Sequence, residues 1–107
     1  MAQGTALPTN ALSVANAVDG KLSTLTQVPR TKRYAGITND LQRRFAEHKV
    51  DPRFIPCVYL QCESADVARQ AEQLLLNSGY KGGGGGGNDS DKPDWIYAYE
   101  ITAATVQ

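Results

Sequence analysis

Arg44 and His48 share one stripe of a predicted helix with two apolar residues. Leu41, Arg44, Phe45 and His48 stand at i, i+3, i+4 and i+7. Two polar side chains on an inward stripe require a reason. A guanidinium is always protonated and can hold two phosphoryl oxygens, and an imidazole titrates near neutral pH. The pair therefore suits a phosphate-bearing ligand and a proton transfer. Tyr34, ten residues before Arg44, adds a phenol, and Glu72 adds a carboxylate on a later helix. Taken singly, each has a plainer account. Tyr34 reads as a strand aromatic, Arg44 and His48 as helix-edge residues that snorkel or cap, and Glu72 as a solvated helix residue. Only the joint spacing speaks for chemistry.

The elements that must position these residues follow from periodicity and breakers. Thr9 or Asn10 caps a short helix through Val18, with Leu12, Val14, Ala15 and Val18 apolar and Asp19-Gly20 as its stop. Alternation of Leu22, Thr24, Thr26 and Val28 predicts a strand over 21–28. A turn at 29–32 leads to a second strand over 33–37, completing a hairpin. Asn39 or Thr38 caps the helix bearing Arg44 and His48, with Gln42 placed to close a capping box from Asn39. A third strand is predicted over 54–62. Ser64 then caps a helix through Ser78 that carries Val67, Ala71, Leu74, Leu75 and Leu76 and stops at Gly79. Trp95, Tyr97, Tyr99 and Ile101 alternate with Ile96, Ala98 and Glu100 as a fourth strand. These aromatics suit sheet packing better than a base-stacking platform.

Six glycines at 82–87, followed by Asn88-Asp89-Ser90-Asp91, predict a mobile loop. They are not a phosphate-binding P-loop, because Lys81 precedes them and acids follow. The predicted fold is thus α/β of the α+β kind, a small antiparallel sheet of three to four strands flanked by helices. The expected organisation is an extension with a short helix over 1–20, one domain over 21–101 that includes the loop 82–91, and a loose tail over 102–107.

At 107 residues the chain suits one hydrophobic core. With 41% hydrophobic and 21% charged residues it is neither disordered nor membrane-like in composition, and no apolar run approaches a membrane span. The N-terminal residues lack a signal-peptide pattern, which points to a cytoplasmic or nuclear location. The formal net charge is zero, which excludes a general polyanion binder, but the charge is uneven. Residues 1–53 hold eight basic against four acidic side chains, and the rest hold three against seven. A local basic face can meet phosphates despite overall neutrality. Cys57 and Cys62 fall on opposite faces of a strand and serve packing, and a single histidine leaves too few ligands for structural zinc.

The run Tyr34-Ala35-Gly36-Ile37-Thr38-Asn39-Asp40-Leu41-Gln42-Arg43-Arg44-Phe45-Ala46-Glu47-His48 resembles the second motif and first helix of the GIY-YIG endonuclease family, and the resemblance extends less sharply to about residue 80. It implies that Tyr34 sits near the attacking water and scissile phosphate, and that Arg44 stabilises charge on the phosphoryl oxygens. It further implies that His48 orients a tyrosine hydroxyl or accepts its proton, and that Glu72 holds Mg²⁺ or Mn²⁺. These four are expected to converge on one concave surface, with the two helices on the same side of the sheet. The departure lies in the first motif. Its tyrosine would fall near Ser23, and 21–28 contains no tyrosine. Tyr97 or Tyr99 supplies the missing hydroxyl if the last strand pairs beside the first.

The leading expectation is therefore a Mg²⁺-dependent DNA endonuclease, with Lys32, Arg33, Arg43 and Lys49 as further nucleic-acid contacts. Its rival is a module that binds nucleic acid or a nucleotide through Arg44, Lys32, Arg33 and His48 without cleavage. A third class is a protein-interaction domain working through the edge of the C-terminal strand.

Overall fold

The computed structural model describes residues 10–82 and 92–107. Most of the glycine-rich loop, expected to be mobile, and the first nine residues, among them the candidate cap Thr9, lie outside the described residues. The elements in chain order are α1 (Ala11–Leu25), a 3-10 turn (Arg30–Lys32), β1 (Arg33–Thr38), α2 (Leu41–His48), β2 (Cys57–Gln61), α3 (Ala65–Asn77) and β3 (Trp95–Glu100). The predicted fold class holds, with three strands.

The strand expected over 21–28 is instead the second half of α1. Asn10 caps this helix, its Oδ1 accepting from the Leu12 and Ser13 amides at 2.9 and 3.2 Å. The helical period then carries through Val14, Val18 and Leu22, all 0% exposed, so the hydrophobic stripe runs past Asp19-Gly20 without a break. Each such side chain contributes about 1.5–3 kcal/mol by leaving water. Asp19 is an anchor rather than a stop: its carboxylate meets the Arg30 and Arg33 guanidiniums at 2.7 and 3.3 Å and accepts from the Tyr80 hydroxyl at 2.8 Å. The domain boundary drawn between 20 and 21 therefore falls inside a helix, and the expected hairpin does not form.

The last strand lies in the middle of the sheet, whose order is β1-β3-β2 with both pairings antiparallel. Tyr34 faces Tyr99 and Gly36 faces Tyr97 across one pairing, and Tyr59 faces Tyr97 across the other. The interaction-domain reading loses its basis, because β3 is paired on both edges. The outer edge of β1 is covered too: the Lys81 amide donates to the Arg33 carbonyl at 2.8 Å and the Ala35 amide to the Lys81 carbonyl at 2.9 Å. That cover explains why all six residues of β1 are buried.

Alternation along the strands sorts the side chains into two cores. Ala35, Ile37, Val58, Ile96 and Ala98 pack with α1 and α3, whereas Tyr34, Tyr97 and Tyr99 pack with Phe45 of α2 and with Val50. So α2 and α3 lie on opposite faces, which corrects the expectation that they share one. Cys62 joins the first core and Cys57 abuts the second, as their spacing predicts, and both are free thiols. Burial pushes the Cys62 thiol up to about 11, which makes it inert.

The caps were partly legible. Ser64 Oγ accepts from the Val67 amide at 3.2 Å, and α3 ends on Gly79 at φ +119°. The Tyr80 amide then returns to the Leu75 carbonyl and the Gly79 amide to that of Leu76, a Schellman closure. For α2 the cap is Asp40, not Asn39 or Thr38, with its Oδ1 accepting from the Arg43 amide at 3.1 Å. Residues 54–56 lie outside β2. Asp51 folds them into a turn that leaves Phe54 76% exposed. Among the described residues no helix is long and apolar enough to cross a membrane.

Candidate active site

The second core is lined with hydroxyls and nitrogen donors that meet on His48. This imidazole projects from the last turn of α2 and is 3% exposed. Its Nε2 lies 2.8 Å from the Tyr97 hydroxyl and 3.2 Å from Arg44 Nη2. Its Nδ1 lies 2.7 Å from the Val106 carbonyl oxygen and 3.1 Å from the Tyr99 hydroxyl. Arg44 also donates from Nε to the Tyr97 hydroxyl at 3.3 Å and from Nη1 to Glu47 at 2.5 Å. Tyr34 packs its ring 4.7 Å from the imidazole and 5.2 Å from the Tyr99 ring, centroid to centroid.

Hydrogen-bond logic fixes the protons. A guanidinium has donors only and a carbonyl accepts only, so Nε2 carries the lone pair and Nδ1 carries the proton. The Tyr97 hydroxyl then accepts from Arg44 and donates to Nε2. Burial holds the His48 pKa below its ordinary value, with the Arg44 charge lowering it further against the Val106 carbonyl and Glu47, so the ring is neutral at neutral pH. Burial also pushes the Tyr97 phenol up to about 12, the Arg44 hydrogen bond opposes it, and the charges of Tyr34 and Glu72 add to the rise. The resting site therefore holds a protonated phenol beside a neutral acceptor.

Three of the four site residues read from the sequence, Tyr34, Arg44 and His48, come together. Glu72, expected on the same concave surface, is 4% exposed and comes from α3 on the other face of the sheet, so the expected convergence of four is not met, a placement that counts against a nuclease. Among the remaining expected contacts, Lys32, Arg43 and Lys49 are exposed, and Arg43 stands 3.9 Å from Glu47. Arg33 is a correction. It is 6% exposed and points to the face opposite Tyr34. There its guanidinium donates to the Val28 carbonyl, Ser23 and Asp19, so it is not a nucleic-acid contact.

The Tyr97 hydroxyl meets His48, whereas Ser23 stands beside Arg33 on the other side of the sheet. The sequence offered Tyr97 and Tyr99 on the condition that the last strand pairs beside the first, read as 21–28; most of that segment is helical, and β3 pairs instead with β1, the strand read as the second. Two further contributors were missed. The tail expected to be loose is docked, with the Val106 amide donating to the His48 carbonyl at 2.7 Å. Lys81, read only as a flank of the glycine run, shares a shallow hollow with Tyr34, Gly82 and Gln107.

Gly36 makes room for the phenol. A Cβ there would collide with the Tyr97 hydroxyl oxygen and stand 2.6 Å from its Cζ. Gly36→Ala is therefore expected to displace Tyr97 from His48 and to destabilise the fold by about 1–3 kcal/mol, as overpacking does. Thermal melting together with the His48 imidazole NMR signals checks this. An unshifted imidazole in a stable Gly36→Ala protein would contradict it.

The chain matches no model of a known protein family, no curated protein and no solved structure.

Proposed function

We propose that the chain is a GIY-YIG-like, metal-dependent endonuclease that hydrolyses DNA phosphodiester bonds, with the first-motif tyrosine supplied from the last strand by Tyr97. The observation that carries this reading is the 2.8 Å approach of the Tyr97 hydroxyl to His48 Nε2, with Arg44 on both groups. A tyrosine, a base and a phosphate-binding cation are then within hydrogen-bond reach of one another, which is the geometry a nucleophile-activating set needs.

In this mechanism the phosphate enters at Arg44, whose side chain is 30% exposed and whose partner Glu47 is a surface ion pair of small net worth. The Tyr97 proton passes to His48 Nε2 as the phenol oxygen takes a proton from water. The hydroxide forms its bond to phosphorus, the bond to the leaving ester oxygen breaks, and Arg44 faces the charge that builds on the phosphoryl oxygens. Glu72 would be the carboxylate for Mg²⁺ or Mn²⁺, but it comes from α3 across the sheet from Arg44, and among the described residues no group of three or more His, Cys, Asp and Glu could hold an ion, so no step runs through one. Lys32, Arg43, Lys49 and Lys81 are exposed cations, and they would contact the flanking backbone of the DNA.

Cleavage should need neutral His48. The sign is set by its lowered pKa: activity is present above the ordinary histidine value of about 6.5 and is lost only as pH falls below it, through the depressed folded value. The same shift means that folding stability present above about pH 6.5 declines below it. Cleavage of single- and double-stranded DNA with Mg²⁺ or Mn²⁺, measured from pH 5 to 9 beside binding in EDTA, tests the reading. An acid limb centred above pH 7, or no cleavage by the wild type at any pH, would count against it.

A second reading has its own observation. Tyr97 is 0% exposed, and Glu72 rises from the opposite face of the sheet. A module that binds nucleic acid or a nucleotide through Arg44 and leaves the buried phenol–imidazole pair to hold α2 in place is consistent with that. Binding in EDTA without turnover would select it.

A further inference from the structure

The hydrogen bonds around His48 give the backbone of the C-terminal segment a task. Nε2 faces a guanidinium donor and a phenol, and Nδ1 faces the Val106 carbonyl at 2.7 Å. The segment is clasped to α2 at the same residue, because the Val106 amide donates to the His48 carbonyl at 2.7 Å. The turn that delivers Val106 is closed by Thr105, whose Oγ1 accepts from the Thr102 amide at 3.0 Å and donates to the Thr102 carbonyl at 3.0 Å. Tyr99 completes the arrangement, its hydroxyl 3.3 Å from the Val106 carbonyl oxygen. A free imidazole distributes its proton between both nitrogens. A carbonyl fixed on Nδ1 holds the proton there and leaves the Nε2 lone pair aimed at Tyr97.

We infer that Val106 is a positioning residue, whose backbone locks His48 in the Nδ1–H tautomer and so makes it the proton acceptor for Tyr97. This rests on the reading of His48 as that acceptor. The device works through main-chain atoms, so any side chain at position 106 that keeps the backbone geometry would serve. The groups that face the imidazole are Arg44 and Glu47 from α2, Tyr34 from β1, and Tyr97 and Tyr99 from β3. None of them is a pure acceptor placed on Nδ1, and the Val106 carbonyl is.

His48 is the single histidine of the chain, so its ring nitrogens can be read without assignment in a ¹⁵N-labelled protein by long-range proton–nitrogen correlation. The wild type at neutral pH should show a protonated Nδ1 and an unprotonated Nε2. Val106→Pro deletes the amide that clasps the segment, and Thr105→Ala opens the turn without touching the core. Each should shift the tautomer ratio toward Nε2–H, by about fivefold for Val106→Pro, which is what loss of one hydrogen bond of ordinary net strength gives. Turnover should fall in proportion to the Nδ1–H fraction that the ring nitrogens report, with KM unchanged, because only the correctly protonated fraction reacts. A wild-type imidazole protonated on Nε2 overturns the inference. So does a folded Val106→Pro and a folded Thr105→Ala that both keep the wild-type tautomer. A wild type that cleaves no DNA, yet holds the Nδ1–H form and loses it in these variants, supports the inference and removes the nuclease reading alone.

Discussion

Tyr97→Phe is expected to lower metal-dependent DNA cleavage by roughly a hundredfold to ten-thousandfold, the range for loss of a positioned proton-transfer group. The loss should appear in kcat and leave KM nearly unchanged, because the phosphate is held by Arg44 and the phenol acts on the water. The variant should still fold. It removes one hydroxyl from a 0% exposed side chain and leaves His48 Nε2 with Arg44 as a donor, at a cost of about 1 kcal/mol. Tyr99→Phe is the matched comparison. Its hydroxyl meets Nδ1 and the Val106 carbonyl, on the side of the imidazole away from Tyr97, so its loss should be far milder. Full activity in Tyr97→Phe with inactivity in Tyr99→Phe would transfer the role to Tyr99. Full activity in both would remove the phenol from the mechanism.

What the sequence revealed of this site follows from what periodicity can carry. The stripe Leu41, Arg44, Phe45, His48 lies within one helix, and local spacing was enough to place Arg44 and His48 side by side. The alternation over 95–101 was equally local, and β3 forms there. Which strand β3 joins is a long-range fact, and no local pattern announces that the last strand becomes the middle one. For that reason Tyr97 entered only as a conditional candidate. The misread 21–28 segment is short and rich in β-branched residues, so its alternation imitated a strand, while the decisive signal was Leu22 standing four residues after Val18 on the same buried stripe. Arg33 was grouped with Lys32 by adjacency. Strand parity alone sends it to the face opposite Tyr34, where Asp19 and Tyr80 wait for it. Val106 was invisible for a different reason: it contributes a carbonyl and an amide, which every residue except proline carries in full.

Arg44→Ala and Glu72→Gln should separate the enzyme from the binding module. In an endonuclease, Glu72→Gln abolishes metal-dependent turnover while DNA binding in EDTA stays nearly intact, because the carboxylate serves the ion rather than the phosphate. Arg44→Ala weakens both, and it lowers the dependence of affinity on salt by about one phosphate contact. In a binding module neither protein turns over. Arg44→Ala lowers affinity and its salt slope, whereas Glu72→Gln leaves affinity equal or raises it by removing a negative charge near the ligand. Glu72 is 4% exposed, so its variant needs a melting curve beside the binding isotherm, since a change of about 1 kcal/mol moves the midpoint of a domain this size by roughly 4–8 °C. The position of α3 across the sheet from α2 makes the glutamate the sharper test. Turnover that survives Glu72→Gln would show that no essential ion is held there. A wild type inert with Mg²⁺ and Mn²⁺, together with Arg44→Ala that binds nucleic acids and nucleotides as the wild type does, would remove both readings at once. The Arg44–His48–Tyr97 cluster would then stand as the polar core that seats α2 on the sheet.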